Sequence, residues 1–515
     1  MVDMVISSMR RKSRSSVPFP LFSSSPFLLF SLYTFALLVS CTTPGQLEAT
    51  PVVNQAMIPL EDCVLALPRS DTQIDAQCGA LAVFENRETQ TGRQINLHLA
   101  VIPAVSRNPA PDPLFFLTGG PGQAATESFL SLQAAFRDIN RERDIVLVDQ
   151  RGAGQSNPLR CDFPDETIFD DDADVQPLLE DCLAGLDADP RLYTTSIAMQ
   201  DLDQIREALG YEQINLYGVS YGTRAALTYI KMYPDRVRVV ILDGVVPQQL
   251  PLGLDVAPDA QRALELIFAR CKMDKPCTEN FPDISTRFDE TLSALETEPV
   301  LVRVAHPITG EPIEFDFTHE MFAAVMRFYS YSPETVALMP LLISTAEEDY
   351  SRLASQYLIL TGDLTESISN GMGYSVQCAE DVPFFTSEEA TQAGEGTYLG
   401  DMISVGLRAI CETWPRGDVP ADFKDPVQSY LPVLLLSGEH DPVTPPVYAE
   451  LAAQTLPNSL HLIAPGQGHN VILRGCIPDL AETFLANGTL DGLETDCVSK
   501  IEPFPFFINF SGPMP

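Results

Sequence analysis

Residues 214–227 read INLYGVSYGTRAAL, and the fold turns on what Ser220 does in the middle of that stretch. An apolar run leads into G-V-S-Y-G, and a helix-forming run follows at once. A buried strand that breaks at a serine between glycines and resumes as a helix is the context a nucleophile elbow demands. The same string also suits small-residue packing at an ordinary strand-to-helix turn, and G-x-S-x-G arises by accident in chains of this composition. The surroundings have to decide.

Outward from Ser220, short buried strands alternate with helices. PLFFLTGGPG and DIVLVDQRGAGQS are apolar runs stopped by glycines, and DLDQIREALG places Leu202, Ile205 and Leu209 at helical spacing before Gly210. TRAALTYIKMYP reads as a helix ended by Pro234, and RVVILDGVVP is the next strand. Continuous apolar runs separated by helices predict an α/β fold, its mostly parallel sheet covered by helices on both faces. Ahead of these, CGALAVF and INLHLAVIPA flank the turn-forming ENRETQTGRQ, which predicts an antiparallel hairpin. From Leu252 to about Gln428 the text turns mostly helical, then PVLLLSGEHD and SLHLIAPGQGHN restore two buried strands before the helix CIPDLAETFLANG. The expected layout is a first core part at 61–250, a mostly helical cap at 251–428 over the sheet's carboxyl edge, and a second core part at 429–500. The tail 501–515, with its aromatic IEPFPFFINF, is expected to lie extended on the core's flank.

Apolar residues make up 45% of the 515, charged residues 20%, and the formal charge is −38. That composition folds, and its charge argues against nucleic acid or an anionic membrane surface as partner. The first forty residues differ: Arg10, Arg11, Lys12 and Arg14 precede a short apolar run that ends in Leu38-Val39-Ser40-Cys41. This resembles a bacterial lipoprotein signal, with Cys41 the residue to be lipidated and residues 41–60 a tether; an ordinary signal peptide or an uncleaved anchor are the alternatives. Ten of the eleven cysteines remain beyond Cys41, an even number that suits an exported chain. Pairing neighbours gives Cys63–Cys78, Cys161–Cys182, Cys271–Cys277, Cys378–Cys411 and Cys476–Cys497. No cysteine or histidine cluster has metal-ligand spacing, and neither a metal nor an organic cofactor is expected.

A serine hydroxyl needs a base to take its proton, and an elbow serine is followed in the chain by its acid and then its histidine. Among six histidines, only His440, His461 and His469 lie beyond the last long strand. His461 alternates within SLHLIA as a strand residue would, whereas His469 follows the glycine loop APGQG and can swing toward the serine. Asp441 follows PVLLLSGEH ahead of a proline-rich turn, with Glu439 and His440 as competitors for the acid's place. The backbone N–H groups of Tyr221 and of Gly120, in TGGPG, are the expected oxyanion donors, because Pro121 has no N–H to offer.

TGGPG, DQRGAGQS, the block from DLDQIREALG to ILDGVVP, GEHDPVTPP and GQGHN together resemble the proline iminopeptidase and tripeptidyl aminopeptidase branch of the α/β-hydrolases, over roughly residues 60–500. The resemblance implies a helical cap and the roles of Ser220 as nucleophile, Asp441 as orienting acid and His469 as base. Thr118 departs from it, since members often carry histidine there. It also implies peptide substrates with a free N-terminus, whose ammonium group needs carboxylates. Glu380 and Asp381 in SVQCAEDVPF are the expected pair, a solvated surface pair being the alternative. An esterase on the same three residues and a cell-surface binding protein with a hydrolase shell are the competing functions.

Overall fold

The computed structural model of the chain describes residues 58–67, 70–163 and 175–513. The signal segment 1–40, Cys41 and nearly all of the tether therefore lie outside the described residues. Eleven strands build the two sheets that matter here: β1 (Glu61–Ala66), β2 (Gln73–Phe84), β3 (Gln94–Ile102), β4 (Leu114–Leu117), β5 (Ile145–Val148), β6 (Ile214–Val219), β7 (Val237–Asp243), β8 (Val300–Ala305), β9 (Pro312–Phe317), β10 (Val433–Gly438) and β11 (Ser459–Ala464). The main sheet has nine strands in the order β1-β2-β3-β5-β4-β6-β7-β10-β11. From β5 onward all neighbours are parallel, while β1, β2 and β3 form an antiparallel flank whose Phe84↔Gln94 end matches the expected hairpin.

The central strands are buried on both faces, which is why their sequences run continuously apolar. On β4, Leu114 and Phe116 face one side and Phe115 and Leu117 the other, the two-residue period of a strand. Phe115 and Leu117 join Met199, Leu202 and Ile205 of the helix Thr195–Ala208 and Ala225, Ala226 and Ile230 of the helix Tyr221–Met232. Phe116 joins Phe129 and Phe136 on the opposite face, where Phe484 of the helix Ile477–Asn487 also packs.

The segment between β7 and β10 has a core of its own, built from helices such as Val256–Met273, His319–Tyr329 and Ser351–Ser367. It is not purely helical. β8 and β9 form an antiparallel hairpin that turns Val302, Val304, Phe315 and Phe317 inward. All five cysteine pairs are those expected from nearest neighbours. Among the described residues no helix is long and apolar enough to cross a membrane.

The tail departs from its expected place. Ile501 and Pro503 still lie on the main core, against Gly475 and Gly466. Beyond them the chain crosses to the inserted segment, where Phe506 is buried in that segment's core under the Arg270 guanidinium, 3.9 Å from the ring centroid. The Phe507 N–H completes the crossing by donating to Ala337 O at 2.9 Å. Burial of the Phe506 ring and the cation over it draw the tail off the flank and onto the insert.

Candidate functional site

Strand β6 delivers Ser220 at its carboxyl end, with φ 56° and ψ −127°, a conformation that few non-glycine residues adopt. The turn is that tight because the helix Tyr221–Met232 starts directly against β4. A Cβ on Gly222 would stand 2.1 Å from Leu117 O, and one on Gly218 would stand 2.4 Å from Gly222 O. The Ser220 N–H donates to Asp243 O at the end of β7, 2.9 Å away. Tyr221 N–H opens the helix with no acceptor, and Gly120 N–H likewise has none among the described residues. Gly119 brings the TGGPG turn against the serine, since a Cβ there would lie 3.1 Å from Ser220 Cβ. The helix Ala125–Leu132 after that turn is pinned by Asp149 of the DQRG motif, which accepts Thr126 N–H at 3.1 Å and Thr126 Oγ1 at 2.9 Å.

The loop after β10 supplies Asp441 and the loop after β11 supplies His469. His469 Nδ1 stands 2.8 Å from Asp441 Oδ2, and the Asp441 carboxylate also accepts Val443 N–H, Thr444 N–H and Thr444 Oγ1, each at 2.8 Å. Asp441 is fully buried. Burial opposes its charge, but the imidazole and the two backbone amides hold its carboxyl below the ordinary range. Burial would likewise lower His469, yet the Asp441 carboxylate outweighs it and raises the imidazole above its usual value. The competitors are placed elsewhere. His440 is buried and driven down to about 4 by that burial, while His461 Nε2 meets Ser437 Oγ at 2.9 Å, tying β11 to β10.

The inserted segment bears directly on these loops. Tyr331 O accepts the His469 N–H at 2.7 Å, and its ring meets the imidazole edge-on at 5.4 Å between centroids. Arg262, on the helix Val256–Met273, donates to the carbonyls of Glu439 and Asp441 at 3.1 and 3.0 Å. A cavity of about 570 Å³ opens beside the serine strand, with Thr118, Val219 and Asn470 on its wall and Glu127, Asp363 and Glu366 among its lining. Of these, Thr118 stands out in the sequence as a departure from the family pattern, and the others do not. Among the others, Glu127 carries the clearest signal, as an acid in the first helical turn after TGGPG.

Glu380 and Asp381 do not stand open to a ligand as expected. Both are fully buried, at the end of the helix Asn370–Glu380. Glu380 accepts Thr195 N–H at 2.6 Å and Thr195 Oγ1 at 2.8 Å, and burial pushes its carboxyl up to about 7. Asp381 pairs with Arg224 at 2.6 Å and with Lys424 at 3.0 Å, and accepts Leu252 N–H at 2.8 Å. These bonds all end on Oδ1, while Oδ2 is buried with no hydrogen-bond partner among the described residues.

The parallel sheet, the strand-serine-helix turn, and the acid and histidine loops behind it agree with a match of residues 112–269 to the family model described as alpha/beta hydrolase fold. The chain has the α/β-hydrolase fold. Residues 397–497 of this α/β-hydrolase match a second model, described as TAP-like protein. It is similar to the serine protease Hip1 of Mycobacterium tuberculosis, 25% identical over 80% of this chain and 86% of that one. It is also similar to the tripeptidyl aminopeptidase of Streptomyces coelicolor, 24% identical over 90% of each chain. The solved structure of proline iminopeptidase from Mycobacterium smegmatis aligns with 79% of this chain and 98% of that one, at 16% identity and a TM-score of 0.41.

Proposed function

We propose that this α/β-hydrolase is an exported serine peptidase that trims residues or short peptides from the N-terminus of its substrates. The observation that carries the reading is the 2.8 Å link between Asp441 and His469 in loops adjoining the Ser220 elbow. His469 takes the Ser220 proton as the hydroxyl oxygen attacks the scissile carbonyl, and the N–H groups of Gly120 and Tyr221 receive the oxyanion. The collapsing intermediate breaks the C–N bond, and His469 returns the proton to the leaving amine. Water then repeats the sequence on the acyl-serine, releasing the acid and restoring Ser220. Asp441 holds the imidazole's tautomer and stabilises its charged form.

Two features favour a peptide with a free amino terminus. The relatives named above are a protease and an aminopeptidase, and the neighbouring cavity has the acid Glu127 in its lining. The basic and apolar segment ahead of Cys41, together with the five disulfides, supports export with lipid attachment at Cys41. Aminoacyl-arylamides and their N-acetylated forms test the substrate class. Free-amino substrates should exceed blocked ones by at least about tenfold in kcat/KM, the worth of one charge-assisted contact. Equal rates, or turnover of simple acyl esters alone, would favour the esterase reading.

The base acts only when neutral. The kcat/KM profile should therefore fall as pH drops through the raised His469 value, with its acidic limb above the ordinary histidine range of about 6.5. A limb below that range would argue against the Asp441–His469 coupling.

A further inference from the structure

Asp243 closes β7 and is fully buried, yet it belongs to neither the Asp441–His469 pair nor the cavity wall. Its backbone and its side chain serve two different loops. The backbone carbonyl accepts the Ser220 N–H at 2.9 Å. The carboxylate accepts the Val471 N–H, at 2.9 and 3.1 Å to its two oxygens, and the Ile472 N–H at 2.9 Å, two and three residues past His469. Tyr217 OH, from β6, supplies one more bond at 2.9 Å. The donors bonded to this carboxylate are neutral dipoles, and burial lifts its carboxyl to about 6. Keeping such a group inside is costly unless the bonds it makes are needed.

The next residue shows where those bonds lead. Gly244 has φ +70°, and a Cβ there would stand 3.0 Å from both His469 Cε1 and Thr444 Oγ1. The imidazole rests on the strand end itself. We propose that Asp243 is a positioning residue, fixing the His469 loop in register with the Ser220 elbow by bonding to both. This rests on the roles given to Ser220 and His469 above.

The charges around His469 make the proposal distinguishable from plain structural support. Asp441 and Thr444 face it from the acid loop, Asp243 from β7, and Arg327 and Tyr331 from the inserted segment; Asp243 itself is faced by Tyr217 and His469. Removing the Asp243 charge leaves the imidazole easier to deprotonate. Asp243→Asn keeps the shape, loses one acceptor and the charge, and turns an amide N–H toward the loop's donors. It should lower kcat/KM about 10- to 100-fold, mainly through kcat, the scale of an ångström-sized misplacement. It should also move the acidic limb to lower pH, and add no further loss to a His469→Ala background.

An unmoved limb, or an equal further loss in the His469→Ala background, would overturn the proposal. Should Asp243→Asn fail to fold, Tyr217→Phe carries the test, since it removes one bond to the carboxylate and keeps the ring. That variant should lose about threefold to tenfold in kcat/KM, the worth of one hydrogen bond, and wild-type kinetics would overturn the proposal. Ser220→Ala run in parallel separates the two assignments. If it still hydrolyses, the nucleophile assignment fails; if it is dead while Asp243→Asn equals wild type, only the role of Asp243 fails.

Discussion

Ser220→Ala should abolish turnover almost entirely, with a fall in kcat on the order of 10⁶ and a residual rate from the oxyanion donors and substrate binding alone. The magnitude follows from what the residue does: without the hydroxyl there is no acyl-enzyme, and the imidazole has no proton to take. Because the serine and histidine act as a unit, Ser220→Ala/His469→Ala should be hardly slower than either single variant. A fluorophosphonate probe should add its mass to the wild-type chain and none to Ser220→Ala. Labelling retained in that variant would place the nucleophile elsewhere. Since the Cα of residue 220 already sits in its strained turn, the alanine chain should fold as wild type does, so circular dichroism separates lost chemistry from lost structure.

The second large effect concerns stability. Asp381→Ala should cost about 3–5 kcal/mol, because it strands the buried Arg224 guanidinium and the Lys424 ammonium without their shared anion. Arg224 lies on the helix that begins at Tyr221, and Asp381 on the chain leaving the helix Asn370–Glu380 of the inserted segment. The pair therefore joins the two parts of the fold beneath the site. Denaturant titration measures the loss, and Asp381→Asn should recover part of it by keeping an acceptor for Arg224 and for the Leu252 N–H. A midpoint equal to wild type in Asp381→Ala would show that water or another acid reaches the cations.

The elbow, the acid loop and the histidine loop were legible because their chemistry is local. A strand end, a glycine and a polar residue within a few positions are enough to mark each, and a parallel α/β fold leaves few places where they can meet. The cysteine pairs were legible for the same reason, each closing a short loop. Glu380 and Asp381 were not, because the groups that occupy them come from 185 and 157 residues away, and adjacent carboxylates look alike whether solvated or buried. The β8–β9 hairpin was hidden by its helical neighbours, although VLVRVA alternates with a period of two, and its Pro-Ile-Thr-Gly turn is plain once the alternation is seen. Asp243 lies within the strand run RVVILDGVVP and carries no signal of its own there. Nothing in LDG announces that the Ser220 elbow and the His469 loop will converge on it.

Since Tyr331 O receives the His469 N–H and its ring flanks the imidazole, swinging the inserted segment outward would unseat the histidine in the same movement. An open state and an armed state then exclude each other. With the insert in place, the cavity beside Thr118 is the opening that adjoins the serine strand. A chain terminus can thread such a passage, whereas a loop in mid-chain cannot enter without doubling its width. For the peptidase proposed above, an insert tied to the histidine in this way would favour the ends of peptides independently of any charge that greets the substrate.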